Sequence, residues 1–327
     1  MKKIVPIILV SLTGFIGSCG NDDDGPQDGG ISLTLLKSES GIPANVTLFF
    51  KASFANGGGV DGLTTDDITI YEDEELISEF EAGRDFLPKP EEFLYSTLLL
   101  LDLSGSVLEA SALNTLKEAA NAFISNVLTT TASDPVEIAI YWFDGEENIH
   151  LLQTFTNDRL RLSNSIASIT SEISRDNSTN LNGAIVQGVN VVENRVRENT
   201  LQLDVLTAGT IITFTDGKDR AGRVSDASAN ASIVQLDESV TSLTIGLGGE
   251  IDQKSLREIG RDGFQFSENL ADLTETFQET AGKIKTEANS FYIFEYCSPK
   301  RTGRFSLRID VVKEIKLGSL FEEFSAN

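Results

Sequence analysis

The sequence predicts an α/β protein with a doubly wound, mostly parallel sheet that carries helices on both faces, flanked by all-β segments. Three observations lead to this fold class. Between residues 94 and 288, strand-like apolar runs alternate with segments whose apolar residues recur at helical spacing. The run Leu98–Leu101 is apolar throughout, as expected of a strand buried on both faces. On either side of this block the pattern changes to short strands with period-two alternation.

The first thirty residues carry a secretion pattern. Lys2 and Lys3 precede an apolar run from Ile4 to Ile16, which is too short to span a membrane comfortably and ends in Gly17-Ser18-Cys19. Residues 1–18 are therefore predicted to be a signal peptide. Residues 19–30 are rich in Gly and Asp, so they predict a flexible acidic tether.

The next segment, residues 31–93, predicts a small β domain. Its strand-like runs are Ile31–Leu36, Val46–Phe50 and Asp67–Glu72, with Gly- and Pro-rich stretches between them, including a predicted turn at 86–90. Residues 289–327 return to strand-like runs. We infer that the two flanks join in one β-sandwich into which residues 94–288 are inserted, with two independent β pieces as the alternative.

Within residues 94–288 the predicted elements follow one another in a regular order. They are a strand at Leu98–Leu101, a helix over 113–127, a hairpin of Val136–Phe143 with Ile149–Phe155, a helix over 181–196, strands at Thr210–Phe214 and Val240–Gly246, a helix over 255–259, a strand at Phe264–Phe266 and a helix over 270–284. The residues between Phe214 and Val240 are assigned only as a polar stretch. The hairpin is expected at one edge of the sheet.

The composition excludes several classes of function. With 327 residues and a formal net charge of −24, the chain is unsuited to binding nucleic acid, whose phosphates require clustered Lys and Arg. Its two cysteines and one histidine exclude a disulfide framework, a thiolate cluster for zinc and a multi-histidine metal site. We interpret His150 as an ordinary strand residue and Cys297 as a small buried apolar residue.

Oxygen-bearing side chains lie in three predicted loops, two of them directly after strands. Asp102, Ser104 and Ser106 come after the first buried strand, Thr179 precedes a helix, and Asp216 follows the strand at Thr210–Phe214. In an open α/β sheet, ligands bind beyond the carboxyl ends of the strands. Because hard cations such as Mg²⁺ prefer oxygen ligands, the sequence predicts a site for Mg²⁺, or for Mn²⁺ or Ca²⁺.

The order and spacing of these five residues resemble the metal-ion-dependent adhesion site, or MIDAS, of von Willebrand factor A (VWA) domains, over roughly residues 94–288. The segments Thr179–Ile185 and Thr244–Gly248 also resemble that family, whereas Ser178 stands where many members have glycine and could stiffen the threonine loop. The resemblance implies a Rossmann-like fold, direct metal ligation by Ser104 and Ser106, and direct or water-mediated ligation by Thr179. It assigns Asp102 and Asp216 contacts largely through water, and it implies a protein partner that presents Asp or Glu to the metal.

A second resemblance concerns Ile16-Gly17-Ser18-Cys19, which is similar to the lipobox of bacterial lipoproteins. It implies lipidation of Cys19 and anchoring of the chain in a membrane. The acidic residues that follow resemble a signal that directs some lipoproteins to the outer face of the outer membrane. We therefore expect a location in the cell envelope, at the outer membrane. An unlipidated secretory signal and a plain charged spacer are the alternatives.

The residues favour binding over catalysis, so we expect no enzyme. A phosphatase of the haloacid dehalogenase type needs an aspartate as general acid where Ser104 stands, and no Gly-x-Ser-x-Gly motif supports a serine hydrolase. The expected function is metal-dependent protein binding or adhesion. The alternatives are a scaffold of an envelope complex with metal-independent binding and, less favoured, a metal-dependent phosphoester hydrolase.

Overall fold

The computed structural model describes residues 30–41, 44–55, 57–78, 83, 85–88, 93–128, 135–203 and 205–326. The predicted signal peptide, Cys19 and the tether up to residue 29 lie outside the described residues. In the described part, the strands are β1 (Ile31–Gly41), β2 (Asn45–Phe54), β3 (Ile68–Glu72), β4 (Glu75–Ile77), β5 (Asp85–Pro88), β6 (Phe93–Asp102), β7 (Val136–Phe143), β8 (His150–Thr156), β9 (Leu206–Thr215), β10 (Val240–Leu247), β11 (Gly263–Ser267), β12 (Phe291–Cys297), β13 (Gly303–Lys313) and β14 (Lys316–Ala326).

The α-helices of the same residues are α1 (Ala110–Val127), α2 (Arg159–Ser168), α3 (Leu181–Leu203), α4 (Asp226–Val234), α5 (Gln253–Ile259) and α6 (Leu273–Ala288). Short 3-10 turns lie at Thr65–Asp67 and Leu270–Asp272. Among these described helices, none combines the length and the apolar character that crossing a membrane requires.

The α/β block contains one six-stranded sheet in the order β11-β10-β9-β6-β7-β8. All neighbouring strands are parallel except β7 and β8, which form an antiparallel pair at one edge. Successive residues of β6 point to opposite faces: Leu99 and Leu101 join the core under α1, α2 and α6, whereas Leu98 and Leu100 join the core under α3, α4 and α5. The predicted fold class, a mostly parallel sheet with helices on both faces, is confirmed.

Two helices of this block were not predicted. The helix α2 follows the hairpin, and its N-cap Asp158 accepts hydrogen bonds from the main-chain N–H groups of Leu160 and Arg161 at 2.9 and 3.1 Å. The helix α4 lies in the predicted polar stretch, where the hydroxyl of Ser225 caps the N–H of Ser228. Among the residues of α4, only Ala229 and Ile233 are buried. The helix therefore lacks the stripe of large apolar residues by which a helix is detected in a sequence.

The remaining strands form two four-stranded sheets, in the orders β1-β2-β12-β5 and β14-β13-β3-β4. Each sheet combines strands from before and after the α/β block, because β12 pairs with β2 and β13 pairs with β3, both antiparallel. The two sheets face each other across one core that includes Phe50, Tyr292, Ile70 and Ile309. We call this pair of sheets the sandwich.

Residues 86–88, the described part of the segment predicted as a turn, depart from that prediction. Asp85–Pro88 forms the strand β5, whose Pro88 lies opposite Tyr292 of β12. The strand is at the edge of its sheet, where proline is tolerated because an edge strand leaves some N–H groups without a ladder partner. Pro88, one of the residues that suggested a turn, is therefore compatible with this strand.

The sandwich and the carboxyl ends of the central strands lie at opposite ends of β6. Phe93, the first residue of β6, packs with Phe49 of β2 and Phe291 of β12 at ring-centroid distances of 6.3 and 5.3 Å. Next to these rings, Lys51 and Glu287 form a buried ion pair with an N–O distance of 2.8 Å. A strand of ten residues spans about 33 Å, so the loop after Asp102 lies far from the sandwich.

Candidate metal centre

The centre is built on the two adjacent strands β6 and β9. They are parallel and in register, with Leu101 opposite Phe214. The next residues along each strand, Asp102 and Thr215, therefore leave the sheet side by side, and Asp216 follows directly. This is the edge at which ligands bind in open α/β sheets.

The Asp102 carboxylate is fully buried and held at both oxygens. Its Oδ1 accepts a hydrogen bond from the main-chain N–H of Ser104 at 2.9 Å, and its Oδ2 accepts one from the Thr215 hydroxyl at 2.6 Å. Ser104 is also buried, because the turn after β6 folds back over the strand end. The two bonds fix the aspartate against the first serine of the predicted site.

Asp216 lies half-buried beside this turn, close to the hydroxyl of Ser106, which acts to lower the pKa of the Asp216 carboxyl group. Its Oδ1 is buried and has no hydrogen-bond partner among the described residues. A buried carboxylate oxygen without a partner is destabilising unless a donor or a cation satisfies it. The atom therefore indicates where a positive ligand belongs.

Thr179 is buried and comes close to the same loop. Its carbonyl oxygen accepts hydrogen bonds from the N–H groups of Arg220 and Ala221 at 2.9 and 3.1 Å, which ties the loop after β9 to the start of α3. A Cβ placed on Gly217 would lie 3.6 Å from the Thr179 hydroxyl. The structure therefore brings Asp102, Ser104, Ser106, Thr179 and Asp216 together; their role as metal ligands stays a prediction.

The electrostatics of the two carboxyl groups are unfavourable in the protein alone. Burial and, secondarily, the charge of Asp216 raise the pKa of Asp102 to about 7, although hydrogen bonds from Thr215 and Ser104 oppose the shift. Burial also raises the pKa of Asp216, with a smaller contribution from Glu250, against opposing effects of the Ser106 hydroxyl and Arg220. A bound cation would favour the charged form of both groups, so the donor set fits a hard divalent ion.

The loop that carries Thr179 is fastened by Asp144, which sequence analysis missed. Asp144 is fully buried directly after β7; its Oδ1 accepts from the N–H of Glu146 at 2.8 Å. Its Oδ2 accepts from the Ser174 hydroxyl and from the N–H groups of Arg175 and Asp176 at 2.9 to 3.2 Å. The sequence could have indicated this role, because Asp144 directly follows a buried strand and lies at the same edge of the sheet as Asp102.

Asp144 also lies in a second group of potential metal ligands, in which atoms of Asp144, Glu146 and His150 are within 4.8 Å of one another. The Asp144 oxygens already accept four hydrogen bonds from the surrounding loops. His150 stacks on Trp142 with a centroid distance of 4.1 Å, and its Nε2 lies 3.1 Å from Glu146 Oε2. These contacts hold the loop before β8 in place.

Two neighbouring residues have structural roles. Ser178 donates from its hydroxyl and from its N–H to Asp176 Oδ1 at 2.7 and 3.0 Å, and these bonds lower the pKa of Asp176. The serine therefore fixes the turn before Thr179. Asp219 accepts hydrogen bonds from the N–H of Asn182 at 2.9 Å and of Gly222 at 2.8 Å, so it caps the first turn of α3.

The fold and this cluster define a class of domain: a doubly wound α/β module with a carboxylate-hydroxyl cluster beyond its central strands. Residues 97–218 match the family model of the von Willebrand factor type A domain. The match lies within the α/β block, so this part of the chain is similar to that family. A search of curated proteins finds no match to the chain.

Several solved structures resemble the chain. The von Willebrand factor type A protein from Catenulispora acidiphila is 12% identical, with 92% of this chain and 73% of that chain covered and a TM-score of 0.48. The vWF domain of the type V pili tip protein Mfa5 from Porphyromonas gingivalis is 15% identical, with coverage of 59% and 95% and a TM-score of 0.45. The manganese-loaded TRAP protein of Plasmodium vivax is 13% identical, with coverage of 74% and 96% and a TM-score of 0.46. None of these likenesses bears on what this chain binds.

Proposed function

We propose that the chain is a lipid-anchored protein of the bacterial cell envelope whose VWA domain binds a divalent cation and uses it to hold a carboxylate of a protein partner. The anchor is the lipid on Cys19, and the location is the outer membrane. Mg²⁺ is the first candidate for the cation, with Mn²⁺ and Ca²⁺ as alternatives. The function is adhesion or protein binding without catalysis.

One observation supports the metal most directly. Asp216 Oδ1 is buried without a hydrogen-bond partner among the described residues, next to a second carboxyl group whose pKa is raised to about 7. A protein that folded only for stability would gain by replacing either aspartate with a neutral residue. A cation that neutralised the two carboxylates would remove this disadvantage.

The hydroxyls would determine how the ion meets a partner. The family resemblance assigns direct contacts to Ser104 and Ser106, with Thr179 direct or through water and the two aspartates largely through water. Because the direct ligands are neutral, a bound ion would keep much of its positive charge toward solvent. An incoming Asp or Glu side chain would meet that charge, which explains how a chain of net charge −24 binds an acidic group.

The metal is tested by calorimetry on the metal-free protein titrated separately with Mg²⁺, Mn²⁺ and Ca²⁺. We expect a single site that disappears in Asp216→Ala. Ser232→Ala is the matched control, because it removes a hydroxyl of helix α4 that donates to the carbonyl of Ala229 and does not belong to the ligand loops. Unchanged metal binding in both Asp216→Ala and Asp102→Ala would show that the ion, if any, binds elsewhere.

The partner is tested by capture from an envelope extract on the immobilised protein, with Mg²⁺ or with EDTA. We expect capture that needs Mg²⁺, is lost in Ser104→Ala and is retained in Ser232→Ala. Aspartate-to-asparagine and glutamate-to-glutamine changes in the captured protein should then identify the residue that reaches the ion. Capture that persists in EDTA and in Ser104→Ala would favour the scaffold alternative, and turnover of a generic phosphoester would favour the hydrolase.

A further inference from the structure

The tip of the β13–β14 hairpin exposes three aliphatic side chains at one place. Ile315 is fully exposed, at 101% of its reference area, and Leu317 and Val312 are 55% and 46% exposed. Val312 and Leu317 are cross-strand partners, so their side chains lie next to each other on the outer face of the sandwich. We call Val312, Ile315 and Leu317 the apolar tip.

Ile315 is also in an unfavourable backbone conformation. The turn residues Glu314 and Ile315 have φ of 50° and 66°, the left-handed pair that two-residue hairpins usually fill with Asn and Gly. A β-branched residue is a rare occupant of this region. Residue 315 therefore bears a conformational cost and exposes an apolar side chain to water, and a polar residue would remove both disadvantages.

The chain that carries the proposed lipid enters the fold beside this tip. Ile31, the first residue of β1, lies against Gly318 of β14 so closely that a Cβ on the glycine would collide with the Ile31 carbonyl group. Phe54, the partner of Ile31 in β2, lies under the ammonium group of Lys316 at 4.2 Å. The start of the fold and the hairpin tip are therefore neighbours.

With a lipid on Cys19, the tether predicted from the sequence would keep this end of the sandwich close to the membrane. Eleven residues, Gly20 to Gly30, separate Cys19 from Ile31. A flexible Gly-rich segment of that length has a root-mean-square span of about 20 Å and a maximum near 40 Å. An apolar surface next to the attachment point thus meets the lipid at a high effective concentration.

We propose that the apolar tip is a membrane-contact surface that dips into the interface of the bilayer to which Cys19 is attached. Ile315, Leu317 and Val312 leave water for the boundary between headgroups and acyl chains. The contact orients the sandwich on the membrane, and β6 then directs the metal centre away from it. This inference depends on the proposed lipid anchor and is independent of metal binding.

Quenching of tryptophan by phospholipids brominated on their acyl chains tests the contact. The lipidated protein is reconstituted in vesicles of phosphatidylethanolamine with a minority of phosphatidylglycerol. The reporter is Ile315→Trp, and the matched control is Val234→Trp, an equally β-branched residue that is 80% exposed at the end of α4. The native Trp142 is buried in the α/β core and supplies the baseline. We expect brominated lipid to remove most of the emission added by Ile315→Trp and none of that added by Val234→Trp.

A chemical anchor separates failure of this inference from failure of the lipidation proposal. In Cys297→Ser, the chain from Cys19 onward has one thiol, which couples to a maleimide lipid and recreates the tether whether or not cells acylate Cys19. Leu317→Trp is a second reporter on the same tip, in case the change at residue 315 disturbs the turn.

Equal quenching of the tip and control reporters, or none at either, on the chemical anchor would overturn the proposal. A blue shift at residue 315 that grows with protein density but resists brominated lipid would also overturn it, because the tip would then be covered by a second copy of the chain. If cells do not acylate Cys19 but brominated lipid still quenches the tip reporter on the chemical anchor, only the proposal of a lipid at Cys19 is refuted.

Discussion

Asp102→Asn should make the metal-free protein more stable while removing its metal site. In the folded protein the pKa of Asp102 rises from 3.8 to about 7, which corresponds to about 4 kcal/mol at about 1.36 kcal/mol per pKa unit. Because the folded pKa is the higher one, the aspartate contributes stability below about pH 4, and this contribution is lost as the pH rises through 7. Asparagine is neutral throughout, so it avoids that loss.

The hydrogen bonds around residue 102 tolerate the change. The asparagine oxygen can keep the N–H of Ser104, and its NH₂ group would face the Thr215 hydroxyl, which can turn its proton to the Gly217 carbonyl 3.3 Å away. We therefore expect the metal-free variant to gain about 2 to 4 kcal/mol of unfolding free energy near pH 8 and almost nothing near pH 4. Mg²⁺ should stabilise the wild type and leave the variant unchanged.

The assay is urea denaturation followed by far-UV circular dichroism, in EDTA and in Mg²⁺, at both pH values. Asp144→Asn is the control, because it replaces a buried acceptor of four hydrogen bonds by a group that turns an NH₂ toward donors. It should lose about 1 to 3 kcal/mol at either pH. If Asp102→Asn destabilises the metal-free protein near pH 8 as Asp144→Asn does, the claim that the buried charge of Asp102 destabilises the metal-free fold is wrong.

Three further predictions follow from separate parts of the chain. The rise in melting temperature caused by Mg²⁺ should be small near pH 5 and full near pH 8. The reason is that the raised pKa values of Asp102 and Asp216 let protons compete with the ion. A rise that does not depend on pH would exclude these two residues as ligands. Ile315→Asn should raise the unfolding free energy by about 1 kcal/mol, since asparagine adopts the left-handed turn conformation more readily, and urea unfolding measures this. Cys19→Ala should accumulate as unprocessed precursor without acyl label, as shown by immunoblot and metabolic labelling; normal cleavage of the variant and no label on wild type would remove the anchor.

The fold could be predicted where apolar spacing is strong. Every strand of the six-stranded sheet has a continuous or alternating apolar run, and α1, α3 and α6 present regular stripes. The helices α2 and α4 escaped because few of their residues are both large and buried. Caps at Asp158 and Ser225 begin them, and a capping residue alone resembles many loop residues.

The candidate centre could be predicted to a comparable extent. Asp102, Ser104, Ser106 and Asp216 are marked by their position after strands, because the carboxyl ends of parallel strands converge. Thr179 is marked by its position before a helix. The residues that hold the surrounding loops in place were not predicted. Asp144 and Asp219 are ordinary loop aspartates in the sequence, and only the tertiary structure shows the N–H groups from which they accept hydrogen bonds. The exposure of Ile315 likewise depends on a turn whose backbone conformation the sequence does not favour.

The strand β6 runs from the sandwich to the centre without an intervening loop, from Phe93 in the ring cluster to Asp102. If a partner holds the ion and the lipid holds the sandwich, tension between the two is directed along this strand. Its neighbours β7 and β9 are parallel to it and in register over most of its length, so the hydrogen bonds on both sides are loaded in shear together and not broken one at a time. We therefore expect a pulled molecule to release its partner before β6 slides in the sheet.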